Sequence, residues 1–163
     1  MNQLAELYRQ HRQGLFSCAL SVTRNAAEAE DAVHDAIARI SKNGLEGRSD
    51  PTAYIFQSVR NAALDKLRRR QTRLQKQDFI FIEHETRDQE MAGQRLADTE
   101  MRTLLREEIE RLEDSYREVV VMKTVSGLTF DQIARALDEP LSTVSSRYFR
   151  ALKMLRAALE ARL

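Results

Sequence analysis

The sequence predicts an all-α protein made of two small helical domains joined by a flexible linker. Three observations lead there. Apolar residues recur at helical rather than alternating spacing through both ends of the chain. Only two prolines and five glycines occur in 163 residues, which disfavours turn-rich β-sandwiches and barrels. Ala, Leu, Arg, Glu and Gln, all good helix formers, are abundant. With 42% hydrophobic and 31% charged residues, the chain can bury a core and is not disordered by composition.

From Leu4 to Val22 apolar residues fall at 4, 7, 8, 15, 16, 19, 20 and 22, which predicts helix, with Gly14 marking either a break or a close helix contact. Asn25 is placed to cap the next helix, with Glu28 at capping-box spacing. There Ala29, Val33, Ala36, Ile37 and Ile40 make an apolar stripe, and Glu28, Asp31, Asp35 and Arg39 a charged outer face. Asn43 to Ser49 holds two of the five glycines and reads as a loop. Asp50-Pro51 then opens a third helix, with Asp as N-cap and Pro in the first turn. Tyr54, Ile55, Val59, Ala62, Ala63 and Leu67 form its stripe, and an arginine cluster its C-terminal end. The first domain spans 1–71. Periodicity fades over 72–97, where Phe79–Ile82 is strand-like and the following polar stretch has no apolar face, so this is the expected linker.

The second domain spans 98–163. Helices are expected from about Asp98 to Leu112 and from Asp114 to Val125. Thr129-Phe-Asp-Gln132 is a capping box opening a short helix, and Asp138 to Leu141 a four-residue turn. Ser142-Thr143 is expected to cap a longer helix, in which Val144, Tyr148, Ala151, Leu155 and Leu159 face inward. A short helix, a tight turn and a long basic helix describe a helix-turn-helix, whose second helix fits the DNA major groove. Opposite its stripe lie Ser145, Ser146, Phe149, Arg150 and Lys153.

The formal net charge of +1 hides a segregated distribution. Residues 51–78 carry a net +5, residues 79–114 a net −6 and residues 115–163 a net +3. Arg68-Arg69-Arg70, with Arg73 and Lys76, packs like charges that a polyanion would relieve, although cations at a helix C-terminus also complement its dipole. Tyr54 and Phe56 near the start of the same helix are either flat surfaces for unstacked bases or ordinary core residues.

Two separated segments, in order, resemble one family. Gly127-Leu-Thr-Phe-Asp-Gln-Ile-Ala134 with Thr143-Val-Ser-Ser-Arg147 and Arg150-Ala151 resembles the promoter-reading helix-turn-helix of extracytoplasmic-function sigma factors. Ala29 to Arg39 is similar to that family's core-polymerase-binding helix. Pro51, Tyr54, Arg60-Asn61, Asp65 and Leu67-Arg68-Arg69 resemble its promoter-melting helix. The resemblance implies that Glu30, Asp31, His34 and Asp35 dock on core RNA polymerase. It implies that the loop beginning Asn43, Gly44, Leu45 holds a base flipped from the −10 element, and that Tyr54, Arg60, Asn61, Arg68 and Arg69 receive the opening strand. Ser145, Ser146, Arg147, Phe149 and Arg150 would read the −35 element. Promoter DNA, core polymerase and an inhibitory anti-sigma factor are the implied partners. The chain departs from the family pattern at His34 (usually Gln), Ile37 (usually Phe), Tyr54 (commonly Trp) and Ser145 (commonly basic).

No catalytic residues, metal or cofactor are expected. His11, His34, His84 and Cys18 lie far apart without metal-ligand spacing, and no phosphate-binding loop or nucleophile elbow occurs. A single cysteine excludes an internal disulfide, and the longest apolar runs are far too short to span a membrane. A cytoplasmic protein, monomeric when not in complex, is the expectation. Two other readings compete: a dimeric helix-turn-helix regulator that is not a polymerase subunit, and a helical adaptor without DNA function.

Overall fold

The computed structural model describes residues 2–76 and 99–163, which form seven helices. Helix α1 (Gln3–Thr23) runs unbroken through Gly14, so the first apolar stretch is one helix rather than two. It ends at Arg24, whose backbone is left-handed at φ 53° and whose amide donates to the Leu20 carbonyl at 2.8 Å. Helix α2 (Ala26–Asn43) begins where expected, the Asn25 side chain accepting the Glu28 amide at 2.9 Å. Helix α3 (Pro51–Lys76) opens on Asp50, whose carboxylate accepts the Ala53 amide at 3.0 Å.

The third helix continues to Lys76, so residues 72–76 of the expected linker belong to it. The strand-like Phe79–Ile82, Met91 and His84 lie outside the described residues.

Helices α4 (Thr99–Arg111) and α5 (Asp114–Thr124) lead into α6 (Phe130–Leu137). The capping box forms in both directions: the Thr129 hydroxyl accepts the Gln132 amide, and the Gln132 side chain accepts the Thr129 amide, each at 3.1 Å. Asp138 then turns left-handed at φ 53°, a conformation Asp tolerates better than most residues. The turn is one residue shorter than expected. Helix α7 (Leu141–Arg162) starts directly after Pro140, with no side-chain cap. The ring of Pro140 already holds φ at −60°, so the helix begins before Ser142 and Thr143, which fall in its first turn instead of capping it.

Helices α1, α2 and α3 pack mutually as one bundle, and α7 packs against α4, α5 and α6 in the other. The bundles also dock on each other, α6 along α3 and α5 along α1. One apolar core crosses the join, bringing Leu15, Ile40, Phe56 and Val59 together with Val119, Met122, Leu128 and Ile133. A small second cluster of Leu112, Val120, Ala151 and Leu155 stays inside the C-terminal bundle.

Gly14 resolves as a close contact. A Cβ there would stand 3.0 Å from the Ser126 Cα, and the Ser126 hydroxyl donates to the Gly14 carbonyl at 3.0 Å. Arg117, only 3% exposed, spans the same join. It donates to the carbonyls of Ser21 (3.1 Å) and Leu112 (2.8 Å) and pairs with Asp114, so its charge is buried with partners. Among the described residues no buried side-chain nitrogen or oxygen lacks a hydrogen bond, and no helix is long and apolar enough to cross a membrane.

Candidate nucleic-acid interface

The outer face of α2 presents Glu30, Asp31, His34 and Asp35, all exposed. Ala29, Ala32, Val33, Ala36 and Ile40 on its other side are buried, so the helix is anchored by one face and free on the other. Asp35 also pairs with Lys66 of α3 at 3.1 Å, which ties this face to the third helix.

In the loop after α2, Asn43 and Gly44 are exposed, and Gly44 takes φ 83°. Leu45 differs. Its side chain is 8% exposed and belongs to the core, so it anchors the loop and offers no surface to a base. Arg48 lays its guanidinium 3.8 Å above the Tyr54 ring, a cation–π stack that fixes the half-buried aromatic at the mouth of α3. Arg48, Ser49, Asp50, Ala53, Tyr54, Gln57 and Arg135 line a cleft of about 230 Å³. Phe56 resolves to the core: it is fully buried and meets His11 edge-to-face at 5.7 Å. Partial burial holds the His11 pKa below its usual value.

The arginines of α3 separate into three situations. Arg68 and Arg69 are exposed, Arg68 making only a 3.5 Å ion pair with Asp65 one turn back. Arg70 points inward, donating to Glu28 and to the Thr23 carbonyl, each at 2.9 Å. The third of the consecutive arginines therefore staples α3 to the α1–α2 corner. Arg60 is engaged bidentately by Glu118 of α5, both bonds at 3.2 Å, while Asn61 beside it is exposed. Glu118 is a partner that sequence reasoning missed, being 58 residues away; a carboxylate within an otherwise apolar run, Glu118 to Met122, was the available signal.

On α7, Ser146, Phe149 and Arg150 are exposed, Phe149 at 57%. Phe149 is braced by Tyr148 at 5.5 Å and Phe130 at 6.1 Å, so it stands fixed on the surface. Ser145 is half-buried and donates to the Ser142 carbonyl at 3.3 Å; Arg147 is half-buried and pairs with Glu139 at 3.4 Å. The structure thus brings Ser146, Phe149 and Arg150 onto an open face, with Ser145 and Arg147 beside it and partly used locally.

Cys18 is fully buried, and burial, reinforced by nearby Glu118 and opposed by Arg60, pushes its thiol pKa up to about 12. It behaves as an inert small hydrophobe. Among the described residues no group of three or more His, Cys, Asp and Glu is placed to hold a metal ion.

Comparison with known proteins matches the two bundles separately and in order. Residues 7–73 match Sigma-70 region 2, and residues 102–155 match Sigma-70, region 4. The chain is 25% identical over 159 residues to the ECF RNA polymerase sigma factor SigX of Bacillus subtilis, covering 94% of this chain and 82% of that protein. It is 26% identical over 151 residues to the RNA polymerase sigma factor SigV of the same organism, covering 91% and 86%. In structure it is similar to the sigma factor RpoE from Bartonella quintana, solved in complex with the anti-sigma factor NepR. The TM-score is 0.74 at 22% identity, over 97% of this chain and 94% of that one. Two sigma regions, matched in the right order to the two bundles, leave one assignment: the chain belongs to the sigma-70 family, as a sigma factor of the extracytoplasmic-function type.

Proposed function

We propose that this sigma factor binds core RNA polymerase through the exposed face of α2, with Glu30, Asp31, His34 and Asp35 as its contacts. The paired, ordered match to sigma regions 2 and 4 carries this reading. Asn43 and Gly44, with Tyr54 and Arg48 behind them, form the rim where a base displaced from the −10 element is held. Arg60, Asn61, Arg68 and Arg69 follow the strand as it opens; the exposed guanidiniums of Arg68 and Arg69 contact phosphates without selecting sequence. Ser146, Phe149 and Arg150 read the −35 element from the major groove, where Arg bonds guanine and an apolar ring meets a thymine methyl. Ser145 and Arg147 flank them. Opening is driven by binding energy, and the chain is a regulator of transcription with no reaction of its own.

The solved complex of RpoE with an anti-sigma factor supports an inhibitory partner of that kind for this chain. A dimeric regulator independent of polymerase has no feature in its favour, since region 2 would then serve no purpose.

Run-off transcription on a pool of genomic promoters, with purified core enzyme and with or without this chain, tests the reading. Discrete promoter-specific transcripts that require both components are the expected result. Stable dimers that bind a palindrome tightly without core enzyme, and no new transcript, would overturn it.

A further inference from the structure

Two cations of α3 reach across to α2, and they meet different kinds of carboxylate. Arg70 pairs with Glu28 at 2.9 Å, and neither side chain is more than 20% exposed. Lys66, one turn earlier, pairs with Asp35 at 3.1 Å, where the two ends are unequal: the lysine side chain is 19% exposed and the aspartate 58%. Lys66 thus lies packed along the helix pair and delivers its charge to a carboxylate that remains open to solvent.

Asp35 is one of three exposed carboxylates on the docking face of α2, with Glu30 and Asp31. Among the described residues Glu30 and Asp31 make no ion pair, so of the three only Asp35 is held from within the chain. The Lys66 ammonium takes Oδ2 and leaves Oδ1 to a partner. A side chain frozen on docking loses rotamer freedom, and one already held loses less. Asp31 also stands four residues before Asp35, a like-charge spacing that destabilises a helix face, and the ammonium offsets it.

We propose that Lys66 is a positioning residue for polymerase docking. By sequence it belongs to the basic helix that receives the opening strand, yet its charge is used to preset Asp35 for core enzyme. Arg68 and Arg69 carry the phosphate track without it. The proposal rests on the sigma-factor reading above, in which Asp35 touches polymerase.

Equilibrium binding of the full chain to purified core enzyme, below the unfolding transition, tests it. Lys66→Met keeps the packed stem, removes the ammonium and is expected to weaken core binding by about three- to fivefold. The loss should shrink as salt rises, and Lys66→Arg should recover most of it. Asp35→Asn also weakens binding, and adding Lys66→Met to it is expected to cost nothing more, because both act through one contact. Arg70→Met breaks the companion pair and is expected to lower the unfolding midpoint while leaving core affinity alone, which separates positioning from simple stapling of α3 to α2. The salt slope of single-strand binding should be the same for Lys66→Met and the parent.

Parent-like core affinity in Lys66→Met, full additivity with Asp35→Asn, or an equal loss in Arg70→Met overturns the proposal. So does a strand-binding slope lowered by about 0.7, which would return Lys66 to the phosphate track. Undiminished core binding by Asp35→Asn removes the contact that Lys66 is said to preset and overturns the proposal with it. A parent chain that binds no core enzyme overturns the sigma reading itself.

Discussion

The two bundles handle their apolar surface differently. Of the nine large hydrophobic side chains that remain exposed among the described residues, only Leu74 belongs to the N-terminal bundle; Met101, Leu105, Val125, Leu141, Phe149, Leu152, Met154 and Leu163 belong to the other. The N-terminal bundle closes around Leu15, Ile40, Ile55, Phe56 and Val59, all at 2% exposure or less. The C-terminal bundle keeps a private cluster of four buried residues and draws the rest of its core from across the join. The outer surface of the first bundle presents charge, whereas that of the second also presents apolar side chains. Most of the exposed apolar side chains of the C-terminal bundle lie on α4 and α7, whereas α2 exposes carboxylates.

The sharpest way to break this contrast uses one residue type in two places. Phe56→Ala removes a fully buried ring from the N-terminal core and is expected to cost about 3–5 kcal/mol in denaturant unfolding. Phe149→Ala is expected to change stability by no more than about 0.5 kcal/mol, yet to alter the ranking of −35 sequences in a promoter-selection assay. An unaltered ranking removes Phe149 from the reading surface.

A smaller effect separates the three consecutive arginines. Arg70→Ala leaves Glu28 and the Thr23 carbonyl unpartnered and is expected to cost about 1–2 kcal/mol of stability. The double change Arg68→Ala, Arg69→Ala is expected to leave the unfolding midpoint in place. It should lower the salt slope of strand binding by about 1.4, since each single-strand phosphate contact contributes about 0.7. Identical slopes for double variant and parent would withdraw both residues from the DNA track.

The smallest effect concerns His11. Partial burial against Phe56 disfavours its charged form, so its folded pKa lies below the unfolded 6.5. Such a group contributes nothing well above pH 6.5 and subtracts stability as pH falls through that value, because the unfolded chain then binds more protons. His11→Gln is expected to flatten the acid side of the stability profile just below pH 6.5, measured by thermal melts in matched buffers.

Much of the fold is legible in sequence because the relevant partners are neighbours. Asp50 reaches Ala53, Asn25 reaches Glu28 and Thr129 trades bonds with Gln132, each three residues away, and all three helix starts stand where the residues place them. The cap expected at Ser142-Thr143 fails for an equally local reason, the fixed φ of Pro140. What sequence does not reveal is which of several alike residues meets a distant one. Arg60, Arg68, Arg69 and Arg70 read as a single basic track, yet Arg60 finds Glu118 at a separation of 58 residues and Arg70 finds Glu28 at 42. Gly14 carried two readings until Ser126, 112 residues later, decided between them. Leu45 sits in a loop whose composition predicts exposure, but a single aliphatic is enough to pin that loop to the core.

The abrupt joint at Asp138 to Pro140 has a consequence for how α7 can vary. Three residues leave no slack between α6 and α7, and successive residues of a helix are rotated by about 100° from one another. Inserting one amino acid at the head of α7, with its axis held in place, would swing Phe149 and Arg150 off the face they share with Ser146 and turn the Val144, Ala151 and Leu155 seam out toward water. Residue identities along the outward face are therefore free to drift, whereas the number of residues in the joint behaves as a fixed gauge.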